Sequence, residues 1–504
     1  MTGPLPSPES RDVGKLPFPL LTSLKLATVA LGSAAFAWIL MTRFGIAALA
    51  LVLVGIVGLS ILTYISNRDL SFALMIWMLS MGGFRTIGMV SMPGLPDFSF
   101  DRLLLIWIIM MFGVRVVIER MKMPGPYRAD FFILAHTVYV LVQLNLRGSL
   151  HAHEWVISSL SPFFGYLYGR FIIRTPAEVR NLMVFFAMLG VYFGITAIAE
   201  KFSIQALVWP KQILDPNVGA LWQAGRSRGP VMHPPLNGQL LGMMLLIFLL
   251  FISRVRSLTW KTICVLGFVL VGLGSFFSYT RGPWLATAMA LGVMGMLRPN
   301  YRRILMGFAV FTMVFGLLGL NQGMNSEFLQ ERLQNNQTVE NRLMFLSAAM
   351  KMVRDYPIFG LGFFRYNDYR DFYHQGIDIP FYGYVSKHMG KGMVIHDIYL
   401  GRLAEEGLVS ILLLLGFSLN IFKAWIFKWR SKLQDQWFDR DMLALFAGIM
   451  VCYHIGGMVI DYRYFDLINV FYFLIAGITY GYRNEDYGFG ARPTRSPLHP
   501  ERFA

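Results

Sequence analysis

The chain has 504 residues, of which 55% are hydrophobic and only 15% are charged. These proportions exclude an ordinary water-soluble enzyme and indicate a polytopic membrane protein. The formal net charge of +16 does not point to nucleic acid, because the cytoplasmic loops of membrane proteins collect Lys and Arg. Both cysteines, Cys264 and Cys452, lie in apolar segments, so neither a disulfide framework nor a cysteine metal site is predicted.

Apolar segments of membrane-spanning length recur along most of the chain. Since one span needs about 20 mostly apolar residues, we predict about fourteen spans. They cover residues 21–41, 45–66, 70–90, 103–119, 130–147, 155–173, 181–199, 237–253, 260–279, 283–297, 304–320, 398–420, 442–460 and 467–482. The span at 283–297 is short, and the alternative is a single long helix that is broken between 279 and 283.

Lys and Arg are distributed unevenly between alternate connections. With the N-terminus in the cytoplasm, about 23 basic residues fall in the inner connections and about nine in the short outer loops, which predicts that both termini are cytoplasmic. Three polar segments then lie together on the outer, periplasmic side: the loop 200–236, the turn 279–283 and the segment 321–397, which we call the polar island. The polar island cannot lie bare in hydrocarbon, because its backbone N–H and C=O groups would lack partners.

The predicted fold class is therefore all-α, a polytopic membrane protein of about 12–14 transmembrane helices with a large periplasmic loop domain. The predicted organisation has five parts. They are a flexible cytoplasmic tail (1–19), an N-terminal transmembrane bundle (20–199), a catalytic region that includes the polar island (200–420), C-terminal transmembrane helices (421–482) and a basic cytoplasmic tail (483–504).

The outer segments carry arginines that the charge asymmetry does not explain. Arg226 and Arg228 lie in the loop, Arg281 in the turn and Arg342 in the polar island. A guanidinium is always charged and forms two parallel hydrogen bonds to phosphate or carboxylate oxygens, so several of them converging at a membrane surface would bind a diphosphate. Arg228 is equally consistent with a cation that reaches lipid phosphates. For Arg281 the functional interpretation is favoured, because a charge between two apolar spans is costly and tends to mark function.

His396 lies at the junction between the polar island and the next apolar segment. A neutral imidazole there can take a proton from a hydroxyl, and the alternative is a structural hydrogen bond at a helix start. Asp397 is a candidate for orienting His396, although a carboxylate at this position also suits a helix N-terminus. The stretch His151-Ala152-His153-Glu154 is interpreted as a solvated loop, because no further ligand is in register, and no metal site is predicted.

Five motifs in order resemble the O-antigen ligase and polymerase superfamily, over about residues 200–420. They are Arg226…Arg228-Gly229-Pro230…His233-Pro234…Asn237, Thr280-Arg281-Gly282, Arg342…Ala348-Ala349, Asp355-x-Pro357-x-x-Gly360-x-Gly362 and His396-x-x-Tyr399-Leu400…Glu406-Gly407. Two departures stand out. Asp397 replaces a common Asn, and an additional proline, Pro235, leaves open which of Arg226 and Arg228 matches the family's arginine.

The resemblance implies a multi-pass glycosyltransferase of the bacterial inner membrane with a periplasmic active site. It would transfer or polymerise a glycan from an undecaprenyl-diphosphate-linked donor onto an acceptor hydroxyl, in the assembly of O-antigen, lipopolysaccharide or exopolysaccharide. Arg228 and Arg281 would bind the diphosphate, with Arg226 and Arg342 as further candidates, and His396 would be the base, with no metal or other cofactor. The implied partners are the donor, a glycan or lipid acceptor, membrane lipids and other polysaccharide-assembly proteins, and no nucleic acid.

Two alternatives remain open. Within the enzyme class, we favour a polymerase over a ligase, because the polar island offers aromatic rings for stacking on sugars: Tyr366, Tyr369, Phe372, Tyr373, Phe381, Tyr382 and Tyr384. From another class, a transporter or flippase for lipid-linked sugars or polysaccharide also has many helices. Transporters place polar groups near the midplane and often show inverted repeats. No repeat is visible here, although three charges fall within spans, namely Lys25, Arg85 and Arg115.

Overall fold

The computed structural model describes residues 58, 63, 70–82, 99–118, 127–146, 152–215, 225–307, 309, 337–379, 383–386, 395–431 and 437–482. The chain divides into two compact units, Met1–Ala73 and Leu74–Ala504. Only a few residues of the first unit are described. All of the candidate site residues belong to the second unit, as do most of the described helices.

The described part of the chain is almost entirely helical. Its helices are α1 (Leu70–Met81), α2 (Phe100–Val117), α3 (Arg128–Leu146), α4 (Ala152–Trp155), a π-helical segment (Val156–Leu160), α5 (Ser161–Phe171), α6 (Pro176–Lys201), α7 (Pro234–Arg254), α8 (Leu258–Phe277), α9 (Arg281–Leu297), α10 (Gln337–Asp355), α11 (Tyr366–Tyr373), α12 (Ile398–Glu405), α13 (Gly407–Arg430), α14 (Arg440–Gly457) and α15 (Asp466–Gly481). Short 3₁₀ helices lie at Gln205–Leu207, Lys211–Leu214 and Tyr462–Tyr464. One antiparallel hairpin, β1 (Ile377–Ile379) with β2 (Gly383–Val385), pairs Ile377 with Val385.

Four of the described helices are long and apolar enough to cross a membrane, namely α6, α7, α8 and α13, and α1 and α15 are shorter apolar helices. The expected all-α membrane protein is therefore confirmed. The predicted spans at 21–41 and 304–320 lie wholly or mostly outside the described residues, as does most of 45–66. The number of spans and the position of the membrane stay predictions, and both predicted tails lie outside the described residues.

The short span predicted at 283–297 is a separate helix. The chain leaves the helical path after α8, where Tyr279 has a positive φ of 47°, and α9 begins at Arg281. α8 packs against α6 and α7, whereas α9 packs mainly against α14 and α7. The alternative of one long broken helix does not hold, because the chain turns at Tyr279 and the two helices, although both contact α7, differ in their second main partner.

The span predicted at 398–420 is wrong at its start, because the structure divides it into α12 and α13. The break lies at Glu406 and Gly407, and Gly407 has a φ of +76°. α12 carries buried charges, whereas α13 is apolar. Hydropathy averaged over the whole segment conceals this difference, since the apolar residues of α13 outweigh the charges before them.

The two glycine motifs of the polar island and of α13 meet at this break. A Cβ at Gly360 would lie 2.3 Å from the carbonyl of Glu405, and a Cβ at Gly407 would lie 2.3 Å from the oxygen of Ile358. Gly360 also has a positive φ, of 68°. Backbone hydrogen bonds join the two segments: Leu361 to Ala404 at 3.0 Å, Gly362 to Glu405 at 2.8 Å and Leu408 to Pro357 at 3.0 Å. The Asp355–Gly362 motif is therefore a turn that anchors the polar island on the membrane helices.

We expect Gly407→Ala to destabilise the protein strongly. A left-handed backbone costs a non-glycine residue about 1–2 kcal/mol, and the clash with Ile358 adds to this cost. Gly292→Ala is the matched control, because Gly292 lies within α9, where no described atom lies within 4 Å of the added Cβ. Thermal unfolding in detergent measures both variants. Equal melting temperatures would contradict the proposed need for glycine at this junction.

Candidate functional site

Three predicted site residues come together beside the N-terminal part of α10. Arg342 on α10 lies close enough to Arg281, the first residue of α9, for the two charges to interact. The charge of Arg342 in turn acts on His396. Phe345, almost one turn after Arg342, meets the His396 ring edge-on with the centroids 5.6 Å apart. The arginines of the turn and the polar island thus lie near the predicted base.

His396 is suited to accept a proton. Burial lowers its pKa below the usual value near 6.5, the positive charge of Arg342 lowers it further, and Asp461 opposes both effects. The side chain of Arg342 is exposed to solvent. Its pKa is nevertheless lowered, first because neighbouring protein atoms partly desolvate the guanidinium and second because Arg281 carries a like charge. His396 is therefore neutral at physiological pH, and the charges of Arg342 and Asp461 both act on it.

Asp397 acts as the N-cap of α12. One oxygen of its carboxylate accepts hydrogen bonds from the backbone N–H groups of Tyr399 at 2.8 Å and Leu400 at 2.9 Å. This cap explains why α12 begins directly after His396. The structure therefore shows the capping role that the sequence left open, and orientation of His396 by Asp397 stays a prediction.

Arg226 braces the turn that carries Arg281. Its buried side chain donates a hydrogen bond from Nε to the Ser278 oxygen at 3.1 Å and one from Nη2 to Thr280 Oγ1 at 2.6 Å. These contacts fix the backbone immediately before Arg281. Arg226 thus holds the α8–α9 turn, and its charge also acts on His233.

Arg228 is engaged by a carboxylate at the end of α6. Its Nε lies 3.1 Å from Glu200 Oε1, while the backbone N–H groups of Arg228 and Gly229 donate to Glu200 Oε2 at 2.7 and 3.0 Å. Its Nη2 also donates to the Ile213 oxygen. The sequence treated Arg226 and Arg228 as near equivalents, but their surroundings differ, because only Arg228 forms this ion pair. Whether Arg228 also binds phosphate stays a prediction.

A paired substitution tests Arg228. We expect Arg228→Met to lose about 1–3 kcal/mol of folding stability, because Glu200 is left buried without its charged partner. Arg228→Met combined with Glu200→Gln should recover most of this loss. If Arg228 only supports the loop, the double variant transfers glycan at the wild-type rate per folded molecule. A large activity deficit that persists in the double variant would instead assign Arg228 to the diphosphate.

A buried ionic network behind His396 was missed at the sequence level. Arg463 is 1% exposed and donates to the Asp461 carboxylate from Nε at 3.0 Å and from Nη2 at 2.7 Å. It also pairs with Glu405. The neighbouring Glu406 accepts from Arg402 at 2.9 Å. Three carboxylates thus face two arginines, and Asp461 is the member whose charge reaches His396.

The sequence does contain a signal for this network. Asp461-Tyr462-Arg463 is a polar triplet between two predicted spans, where charges tend to mark function. The sequence likewise predicted no separate role for His233, which appears there only within the first motif. In the structure its pKa responds to Arg226 and to His396, which places it beside the base.

The aromatic surface expected on the polar island is only partly available. Tyr366 and Tyr373 are buried in its core against Ala348 and Ala349, so the expectation that they stack on sugars is wrong. Buried ring faces cannot meet a glycan. The exposed members are Phe372 and Tyr384, each at 71%, while Tyr369 packs against the core, and Phe381 and Tyr382 lie outside the described residues.

Over the described ranges, no group of three or more His, Cys, Asp and Glu side chains is placed to hold a metal ion. His153 contacts Arg102, and His151 lies outside the described residues.

Comparison with known proteins agrees with the resemblance in the motifs. No curated protein matched the chain. A family model described as O-antigen ligase matches residues 266–415. This segment contains Arg281, Arg342 and His396 but not the loop with Arg226 and Arg228. Over residues 266–415 the chain is therefore similar to the O-antigen ligase family, and this similarity supports a role in glycan transfer during surface polysaccharide assembly.

Proposed function

We propose that this protein transfers glycan from an undecaprenyl-diphosphate-linked donor to an acceptor hydroxyl at the periplasmic face of a bacterial inner membrane, with both termini in the cytoplasm. Polymerisation is favoured over ligation, on the weaker ground that Phe372 and Tyr384 remain exposed for sugar stacking. The observation that carries the proposal is the grouping of Arg281 and Arg342 with a neutral His396 inside the matched domain.

The reaction needs one proton acceptor and a stabilised leaving group. The acceptor hydroxyl oxygen forms a bond to the anomeric carbon as the bond from that carbon to the diphosphate oxygen breaks. His396 takes the hydroxyl proton, and undecaprenyl diphosphate leaves with the bonding electron pair. Arg281 and Arg342 stabilise the charge that develops on it, because donors that are already in position need little reorganisation during the reaction.

Two opposite charges that act on His396 suit this proton transfer. Burial and, after it, the charge of Arg342 favour the neutral imidazole before the reaction. Once the proton arrives, Asp461 lies near enough for its charge to stabilise the imidazolium. Arg463 fixes Asp461 in this position through the contacts described above. In this proposal Arg226 positions the turn that carries Arg281.

The saccharide that accumulates when the gene is deleted tests the function. Loss of a polymerase leaves single repeat units on the lipid carrier, and loss of a ligase leaves long polymer that is not joined to its acceptor. If the donor instead accumulated on the cytoplasmic leaflet, the protein would be a flippase and the proposal would fail. If the proposal holds, purified protein transfers glycan from the lipid-diphosphate donor without any transport step.

We expect the pH profile of kcat/KM to shift when Arg342 is replaced. His396 acts as a base only when neutral, so activity falls as the pH drops through its pKa, which lies below about 6.5 in the wild type. Arg342→Gln removes a charge that lowers this pKa, so the acid limb should move to higher pH. Arg365→Gln is the control, because Arg365 pairs with Asp368 on the polar island. An unmoved acid limb in Arg342→Gln would contradict the assignment of His396 as the base.

A further inference from the structure

The N-terminus of α7 offers no backbone donor to a ligand. Its first two residues, Pro234 and Pro235, have no N–H group. The N–H of Leu236 donates to Nδ1 of His233 at 3.3 Å, and the N–H of Asn237 donates to the backbone oxygen of His233 at 2.9 Å. Since the backbone donors are absent or engaged, any donor at this helix end must be a side chain, and His233 is one of them.

The cap also fixes the hydrogen position on His233. Because Nδ1 accepts a hydrogen bond, the neutral ring carries its hydrogen on Nε2. Protonation would place a hydrogen on Nδ1, break the cap and add a positive charge at the positive end of α7. In agreement with this, burial, together with the charges of His396 and Arg226, lowers the pKa of His233 to about 3. The ring is a neutral donor throughout the physiological range.

Three elements surround the His233 ring. Phe465, just before α15, packs on it with ring centroids 4.8 Å apart. Arg226 in the loop and His396 before α12 lie close enough for their charges to act on it. The ring therefore has an apolar neighbour that holds it and two polar neighbours that belong to the candidate site.

We propose that His233 is a further substrate-binding residue, which donates a hydrogen bond from Nε2–H to an oxygen of the donor's diphosphate. This inference rests on the proposed function and deepens it. The two histidines of the site then have different tasks. In His233 the Nδ1 cap leaves only a donor, whereas His396 accepts the proton. Because His233 resists protonation, it does not compete with His396 for the proton of the acceptor hydroxyl.

His233→Asn separates the two roles of the ring. The Asn oxygen can replace Nδ1 as the cap, since Asn is a good N-cap residue, but nothing replaces Nε2–H. We expect an unchanged melting temperature and a Kd for undecaprenyl diphosphate that rises about 10- to 100-fold, as for a lost hydrogen bond to a charged group. His233→Asp also keeps the cap and should weaken binding further, because its charge repels the diphosphate. The control is His374→Asn, because His374 is a buried histidine that bonds to Tyr366. This variant should bind undecaprenyl diphosphate like the wild type.

The outcomes distinguish this inference from the function on which it rests. If the wild type does not bind undecaprenyl diphosphate, the proposed function fails. If the wild type binds but His233→Asn and His233→Asp bind equally well, only the role of His233 is overturned. The ratio of wild-type to His233→Asn affinity should stay constant between about pH 5 and 8. A ratio that grows as the pH falls would show a charged imidazolium and would overturn the neutral donor.

Discussion

Replacing His396 with glutamine is expected to abolish glycan transfer while the protein still folds and inserts. A general base contributes about 10²–10⁴-fold in rate, and the amide of glutamine cannot take up a proton at neutral pH. The fold should survive because α12 is capped by Asp397 rather than by His396. A purely structural histidine at a helix start would cost about 1 kcal/mol of stability and leave turnover per folded molecule nearly unchanged.

The measurement is transfer by purified protein in detergent, supplied with lipid-diphosphate donor and normalised to folded enzyme. His374→Gln is the matched control, because His374 is also a buried histidine of the polar island but bonds to Tyr366. Wild-type turnover in His396→Gln would exclude the proton-acceptor role. The assay is repeated with a chelator, and loss of wild-type activity there would contradict a metal-free reaction.

The local part of the site could be predicted from the sequence. Arg281 and His396 stand out because they interrupt or flank apolar segments, where charge is costly. Arg342 stands out because it lies in an outer segment, where the charge asymmetry does not explain an arginine. The order of the motifs then suggests a common side of the membrane. Residue type and position along the chain are enough to identify these residues, whatever the packing of the helices.

The remainder depends on contacts between distant segments. Arg226 and Arg228 look alike in the sequence, and their partners distinguish them, because Arg226 bonds to the α8–α9 turn and Arg228 pairs with Glu200 at the end of α6. The charge of Asp461 acts on His396, and Arg463 fixes the Asp461 carboxylate by a hydrogen bond. Neither Asp461 nor Arg463 adjoins any of the five motifs. Hydropathy likewise could not show that Gly407 divides one apolar segment into α12 and α13, because this break follows from backbone contacts with the polar island.

Replacing Arg281 with lysine should remove most of the activity although the charge is kept. Lysine is a point charge and lacks the planar fork that binds two phosphate oxygens at once. Arg281→Ala should lose more, about 10²–10³-fold in kcat, as when one fixed donor to a developing charge is removed. Both variants should fold, because the Arg281 side chain is exposed and Arg226 braces the turn before it.

The control for Arg281 lies just beyond the other end of the same helix. Arg298, directly after α9, pairs with Asp441, and Arg298→Lys should transfer glycan at close to the wild-type rate. Transfer assays and diphosphate binding, each normalised to folded protein, measure both positions. If Arg281→Lys were fully active, Arg281 would be a cation that serves the membrane surface and not the diphosphate. Loss of activity in Arg281→Lys alone, together with weaker diphosphate binding, is the result expected of a bidentate contact at the leaving group, because Lys retains the charge and only the fork is lost.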